Sequence, residues 1–395
     1  KAVMDVKELR PDRDTRFIIR RHSTKYDDFT EAFKDYTGGV IDTSVKYAVA
    51  HMYSSRRPQE WEKRIVDEGW LEKYDVWLNL RNDDIFMHRW GSPDYARELI
   101  KWIPREHVPG FYMGSDTYVW GREFISQNPE TAGQLEIEKH WYRERLWGQL
   151  AYNNTLGDDY WEAVLEHRFP GVDGELLLQA WESVSEVIPQ VNRSVWKPTD
   201  GGFGAEACRQ TSGFLTLDDY HFNRPAMVLN RVENAPDPQC LTVMEYAKAY
   251  LAGDKLDGLA PPRISANLDG YAEVALNALP TLRAKMGDNV ELRETLNDIE
   301  SMAYLGRYYA DKTRAATKLA IYREGGRTDE KYIDQSIAHL EDAVEVWRTY
   351  ASVLNRQYRP QLGARANNQD WDGTLKLVRQ EVETVREEKD FPVLS

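Results

Sequence analysis

The feature that most constrains this chain is a change of hydrophobic period near Leu135. Before it, four short apolar runs stand apart: Thr15–Arg20, Ser44–Met52, Asp75–Leu80 and Pro109–Met113. Segments of helical character separate them, near Tyr26–Tyr36, Pro58–Gly69 and Ser92–Trp102, the last with Ser92 as a cap. Repeated strand–helix units imply a parallel sheet with right-handed crossovers. Beyond Leu135 the apolar residues recur at helical spacing, in Glu136–Tyr152, Asp158–Phe169 and Gly174–Ile188, and later in Asn267–Met286, Val290–Tyr322 and Asp329–Tyr358. A last helix is expected from Asp370. Val191–Pro238, rich in Gly, Pro, Asn and Asp, reads as a long irregular connection.

The expected fold class is therefore α/β followed by all-α: the C-terminal half of a TIM-type (β/α)8 barrel, then a helical domain. The expected division is 1–130, 131–260 with the irregular connection, and 261–395 as a helical bundle. Four strand–helix units cannot close on themselves without an open edge. More barrel is expected before Lys1.

Composition narrows the partners. Asp plus Glu number 65 against 51 Lys plus Arg, a net charge of −14. That disfavours nucleic acid or an anionic membrane as the main partner, and no run approaches the length of a transmembrane helix. The 13 Trp and 22 Tyr can be core, but such rings also stack on sugars. The two cysteines, Cys208 and Cys240, are either a disulfide or two buried thiols, and no Cys/His spacing suggests a metal. Self-association into a homo-oligomer is left open.

The ends of the four runs carry the chemistry. The first ends in Arg20, Arg21 and His22. The second carries Lys46, His51 and Tyr53. The third ends in Asn79, Arg81, Asn82, Asp83 and Asp84, with Arg89 and Trp90 beyond. The fourth breaks at Gly114 into Ser115, Asp116, Tyr118, Trp120 and Arg122. In a parallel barrel all these ends meet at one mouth. Paired carboxylates on neighbouring strands suit glycoside hydrolysis, with Tyr118 and Trp120 to stack on sugar rings. Arg20, Arg21, Lys46, Arg81 and Arg89 would hold a substrate carboxylate by charge-assisted hydrogen bonds. Each element also has a plain structural reading. Asp83–Asp84 can form an Asx turn, the cations can pair with local Asp, and a lone His such as His22, His51 or His88 is commonly scaffold. There is no dinucleotide fingerprint, Walker loop, nucleophile elbow or HExxH, so no cofactor is expected.

The patterns KYAVAHMYS, VWLNLRNDD and GFYMGSDTYVWGREF, followed by EIEKHWYRERLWGQLAYN, resemble the second half of a glycoside hydrolase barrel with its helical C-terminal region. They are most similar to the α-glucuronidase-like group around family 67, over residues 15–190. The resemblance implies late-strand base carboxylates at Asp84 and Asp116 and a strand lysine at Lys46. It also implies a general acid on an earlier strand, before Lys1. The expected activity is hydrolysis of a complex, uronic-acid-containing polysaccharide by a periplasmic or extracellular protein. Two other readings stand beside it: a non-catalytic carbohydrate-binding protein, and a helical interaction protein with a vestigial barrel.

Overall fold

The computed structural model describes residues 2–13, 16–21, 24–46, 52–56, 65, 68–81, 85–103, 105–114, 126–195, 203–210, 212–222, 240–363 and 367–391. After a short helix α1 (Ala2–Leu9), the first part runs β1 (Arg16–Arg20), α2 (Tyr26–Ala32), β2 (Val40–Lys46), β3 (Val76–Arg81), α3 (Pro93–Lys101) and β4 (Phe111–Gly114). The four strands form one sheet in the order β1-β2-β3-β4, every pair parallel. Sequential order with parallel pairing returns each strand to the same end, so the C-terminal ends share a rim.

Helix α3 starts where its sequence says it should. The Ser92 side chain accepts from the Tyr95 amide, Pro93 follows at the first turn, and Tyr95, Ala96, Leu99 and Ile100 form the buried stripe. Strand β2 departs from expectation. It is described over Val40–Lys46 and so begins four residues before the expected Ser44, and residues 47–51 lie outside the described residues. The apolar-run reading missed its start because Asp42 sits mid-strand. That carboxylate is fully buried, yet it accepts from Trp77 Nε1 at 2.8 Å and pairs with Arg16 at 3.0 Å. A paired buried charge is tolerated where a bare one is not. Gly110 before β4 leaves room for the Trp77 ring, which a Cβ there would approach to 2.7 Å.

The helical part comprises α4 (Glu136–Lys139), α5 (Trp141–Tyr152), α6 (Asp158–Arg168), α7 (Gly174–Ser185) and α8 (Val187–Val195). The single helix expected over Glu136–Tyr152 is interrupted at His140, whose backbone leaves helical geometry. Next come a 3-10 turn (Ala205–Ala207), the hairpin β5 (Arg209–Gln210) and β6 (Gly213–Phe214), and α9 (Leu217–Phe222). The expected irregular connection is thus partly structured. Residues 196–202, 211 and 223–239 lie outside the described residues. Helix α10 (Val243–Ala252) opens with a Thr242/Glu245 capping box.

Three long helices, α11 (Pro261–Ala284), α12 (Val290–Glu324) and α13 (Glu330–Asn355), precede the hairpin β7 (Gln361–Gly363) and β8 (Asn367–Gln369). The last helix expected from Asp370 is α14 (Trp371–Asp390), with Asp370 as its cap. Helix α12 packs against α7, α8, α9, α10, α11 and α13, so residues on every side of it are buried. At Gly306 a Cβ would come within 3.0 Å of Val187 and 3.2 Å of the Leu268 carbonyl, so glycine permits the close approach.

One hydrophobic cluster joins the sheet to the helices, from Val45 and Leu78 through Trp90, Trp147 and Trp181 to Leu305 and Trp347. Much of the tryptophan load is therefore core. Cys208 and Cys240 are both buried free thiols. No helix among the described residues is long and apolar enough to cross a membrane.

Candidate active-site face

Residues paired in register project from the same side of a parallel sheet. Val45, Val76, Leu78 and Leu80 fill one side and are buried in the core. The opposite side carries Arg16, Asp42, Ser44, Trp77, Asn79, Tyr112 and Arg20. They stack in two levels. The lower is the Arg16–Asp42–Trp77 cluster. The upper centres on Tyr112 of β4, which reaches over β3. Its hydroxyl accepts from Arg20 Nη1 at 2.7 Å and lies 2.5 Å from Ser44 Oγ. Tyr112 remains 39 % exposed and Arg20 is exposed.

Asn79, on the intervening strand and in register with Tyr112, is 3 % exposed. Its Oδ1 has no hydrogen-bond partner among the described residues. A buried acceptor left unmade costs about 1–3 kcal/mol. A polar, partly open sheet face that carries such a group at the strand ends has the character of a binding surface rather than a core.

The segment after β3 is held from the helical side. Glu206, on the 3-10 turn, accepts from the amides of Phe86, Met87 and His88 at 2.8–3.0 Å, and its Oε1 lies 2.8 Å from His88 Nδ1. Asp298 of α12 takes the next amide, Arg89 N, at 3.1 Å, and the Arg89 guanidinium at 2.7 Å. Glu294 holds the other guanidinium nitrogen at 2.8 Å, and the Tyr358 hydroxyl donates to Asp298. Burial pushes the Glu206 carboxyl up, but the His88 ring and the amides outweigh it and hold it below the usual glutamate range. Burial likewise opposes the Arg89 charge, and the ring of Tyr358, Asp298 and Glu294 overcomes it.

Of the residues expected at the mouth, Arg20 and Asn79 lie on the polar face. Lys46 and Arg81 end their strands at neighbouring register positions, Lys46 opposite Asn79 and Arg81 opposite Gly114. His22, His51, Asp83, Asp84, Asp116, Tyr118 and Trp120 lie outside the described residues. Arg21 turns away, to Glu68 at 2.6 Å and over the Trp70 ring.

Two expectations are corrected. Arg89 is buried in the Asp298–Glu294 clamp, where both its terminal nitrogens already meet carboxylates. Trp90 is fully buried, donates to the Ser185 carbonyl at 2.9 Å and stacks on Trp147, so it offers no face to a sugar. Sequence reasoning passed over Ser44 and Tyr112, which only strand register brings together. It also passed over Glu294 and Asp298. Two carboxylates four apart within an otherwise apolar helical stripe were the available signal.

No protein-family model and no curated protein sequence matches the chain. Its fold matches solved structures. One, described as a GH138 enzyme targeting pectin rhamnogalacturonan II, superposes with a TM-score of 0.81 at 17 % sequence identity. The match takes in 99 % of this chain and 47 % of that one, so the chain spans about half the length of the structure it matches. At this identity the likeness is one of fold.

Proposed function

We propose that this chain forms one half of a (β/α)8-barrel glycoside hydrolase acting on a complex, uronic-acid-containing polysaccharide outside the cytoplasm, in the periplasm or beyond the cell. The observation that carries the reading is the polar face of the parallel sheet, with Arg20, Ser44, Asn79 and Tyr112 gathered at its C-terminal rim. It is supported by the shared fold with a glycoside hydrolase of about twice the length. That structure bears the GH138 label, so the finer likeness to family 67 rests on the strand-end patterns alone.

In this reading Asp84 and Asp116 follow β3 and β4 as the base, or base-positioning, carboxylates, and the general acid comes from the other barrel half. Arg20 and the strand cations Lys46 and Arg81 bind the substrate's carboxylate, and Tyr118 and Trp120 meet its rings. Cations beside a base keep it ionised at working pH. Glu206 and Asp298 position the segment that follows Asp84. The test is turnover by the full-length protein carrying Asp84→Asn or Asp116→Asn on uronic-acid-containing and neutral oligosaccharides. Removal of a base should lower kcat by roughly a hundredfold or more. Parent turnover in both variants would remove the assignment.

A further inference from the structure

A second cleft lies where the sheet part meets the helices, and it shares no residue with the polar face of the sheet. It encloses about 360 Å³ and is walled by Arg56, by the start of α3, by α7 and α8, and by Asn267 and Tyr271 of α11. The volume is in the range of small-molecule sites. Its walls are built rather than casual. Arg56 pairs with Glu186 at 2.6 Å and lies over the Tyr95 ring. Glu182 accepts from Ser92 Oγ at 3.1 Å and from the Asp94 amide at 3.0 Å. Asn267 is half-buried on the opposite wall.

Charge and shape decide the ligand class. The lining holds two guanidinium groups, Arg56 and Arg193, against three carboxyls, Asp94, Glu182 and Glu186. With Arg56 matched to Glu186 and Asp94 to Arg97, the lining leaves Arg193 and Glu182, so the walls carry little net charge to favour an anion or a cation. An apolar ligand would strip water from charged walls without replacing it. What remains is a ligand whose groups both donate and accept, side by side. Vicinal hydroxyls do so, and planar carboxyl, amide and guanidinium groups bind them in pairs. Tyr271 adds a ring. Burial pushes the Glu182 carboxyl up to about 7, so near neutrality it can serve as donor or acceptor.

We propose that this cleft binds a neutral polyhydroxylated ligand, one sugar ring in size. The inference goes beyond the hydrolase reading and does not depend on it, because its test needs no turnover.

The test titrates the chain with D-glucose, D-galactose and L-rhamnose, with D-galacturonate, and with ethanolamine as a bare cation. The readout is the side-chain amide resonances of Asn267 and Gln190. At least one neutral sugar should shift both signals with a millimolar Kd. Asn267→Ala, with its melting temperature measured alongside to confirm folding, should weaken that binding about tenfold, worth about 1.4 kcal/mol. Glu182→Gln, which keeps the shape and one donor, should weaken it less. The proposal is overturned if no neutral sugar moves these signals, if only ethanolamine or galacturonate does, or if Asn267→Ala binds as the parent does.

Discussion

The clamp behind the sheet and the polar face in front of it engage their polar groups to different extents. In the clamp every carboxylate is matched: Glu206 by three amides and an imidazole, Asp298 by an amide, a guanidinium and a phenol. The bundle repeats the pattern, where buried Glu381 meets Lys312 and the Leu217 amide. On the sheet face Asn79 keeps an acceptor with no partner among the described residues, and Tyr112 stays exposed. Each region also keeps an orphan among the described residues, His88 Nε2 in the clamp and Asn79 Oδ1 on the face, so what sets the two apart is that the face stays open to solvent at Tyr112 and Arg20.

The comparison breaks most visibly at Arg89. Arg89→Ala strands Glu294 and Asp298 in the interior, and loss of one partner from a buried pair costs about 3–5 kcal/mol. Urea unfolding should show a drop of that order. Trp90→Ala opens a cavity in the same core and should cost about 3–5 kcal/mol, near the Arg89 effect. Parent stability in either variant would mean that these residues are not interior.

The next effect is a pH dependence at Glu182. Its folded pKa of about 7 lies above that of an ordinary glutamate, so the native state binds the proton more tightly than the unfolded chain. Stability from this group is complete below about pH 4 and is lost as pH rises towards 7. Glu182→Gln should flatten that stretch of the stability–pH curve, by at most about 3 kcal/mol. Smaller again is Ser92→Ala, which removes the α3 cap and should cost about 1 kcal/mol in thermal unfolding. Tyr112→Phe should cost a similar amount, about 1 kcal/mol, because its hydroxyl meets buried Ser44 as well as exposed Arg20.

Much of this was legible in the sequence. The four apolar runs, the Ser92 cap and the long helical periods gave the sheet and the bundle, because period and capping are local properties. Strand β2 was misplaced because Asp42 needs Arg16 and Trp77 to be tolerable, and those partners come from two other strands. For the same reason Arg89 and Trp90 were assigned to the mouth. Nothing local in Phe86–Trp90 announces that Glu206 and Asp298, more than a hundred residues onward, will draw it inward. Arg20 and Asn79 were legible as polar residues at strand ends, whereas the face they share and the Tyr112–Ser44 contact required the register.

The most direct test of the contrast is Asn79→Ala in the full-length protein, measured for stability and for kcat/KM on a uronic-acid-containing oligosaccharide that the parent cleaves. Loss of an unmatched acceptor offsets the small cavity created, so stability should change by less than about 1 kcal/mol. Loss of a substrate contact should lower kcat/KM by roughly tenfold or more. A fall in stability of several kcal/mol with unchanged kcat/KM would place Asn79 with the scaffold and contradict the assignment of this face as the site.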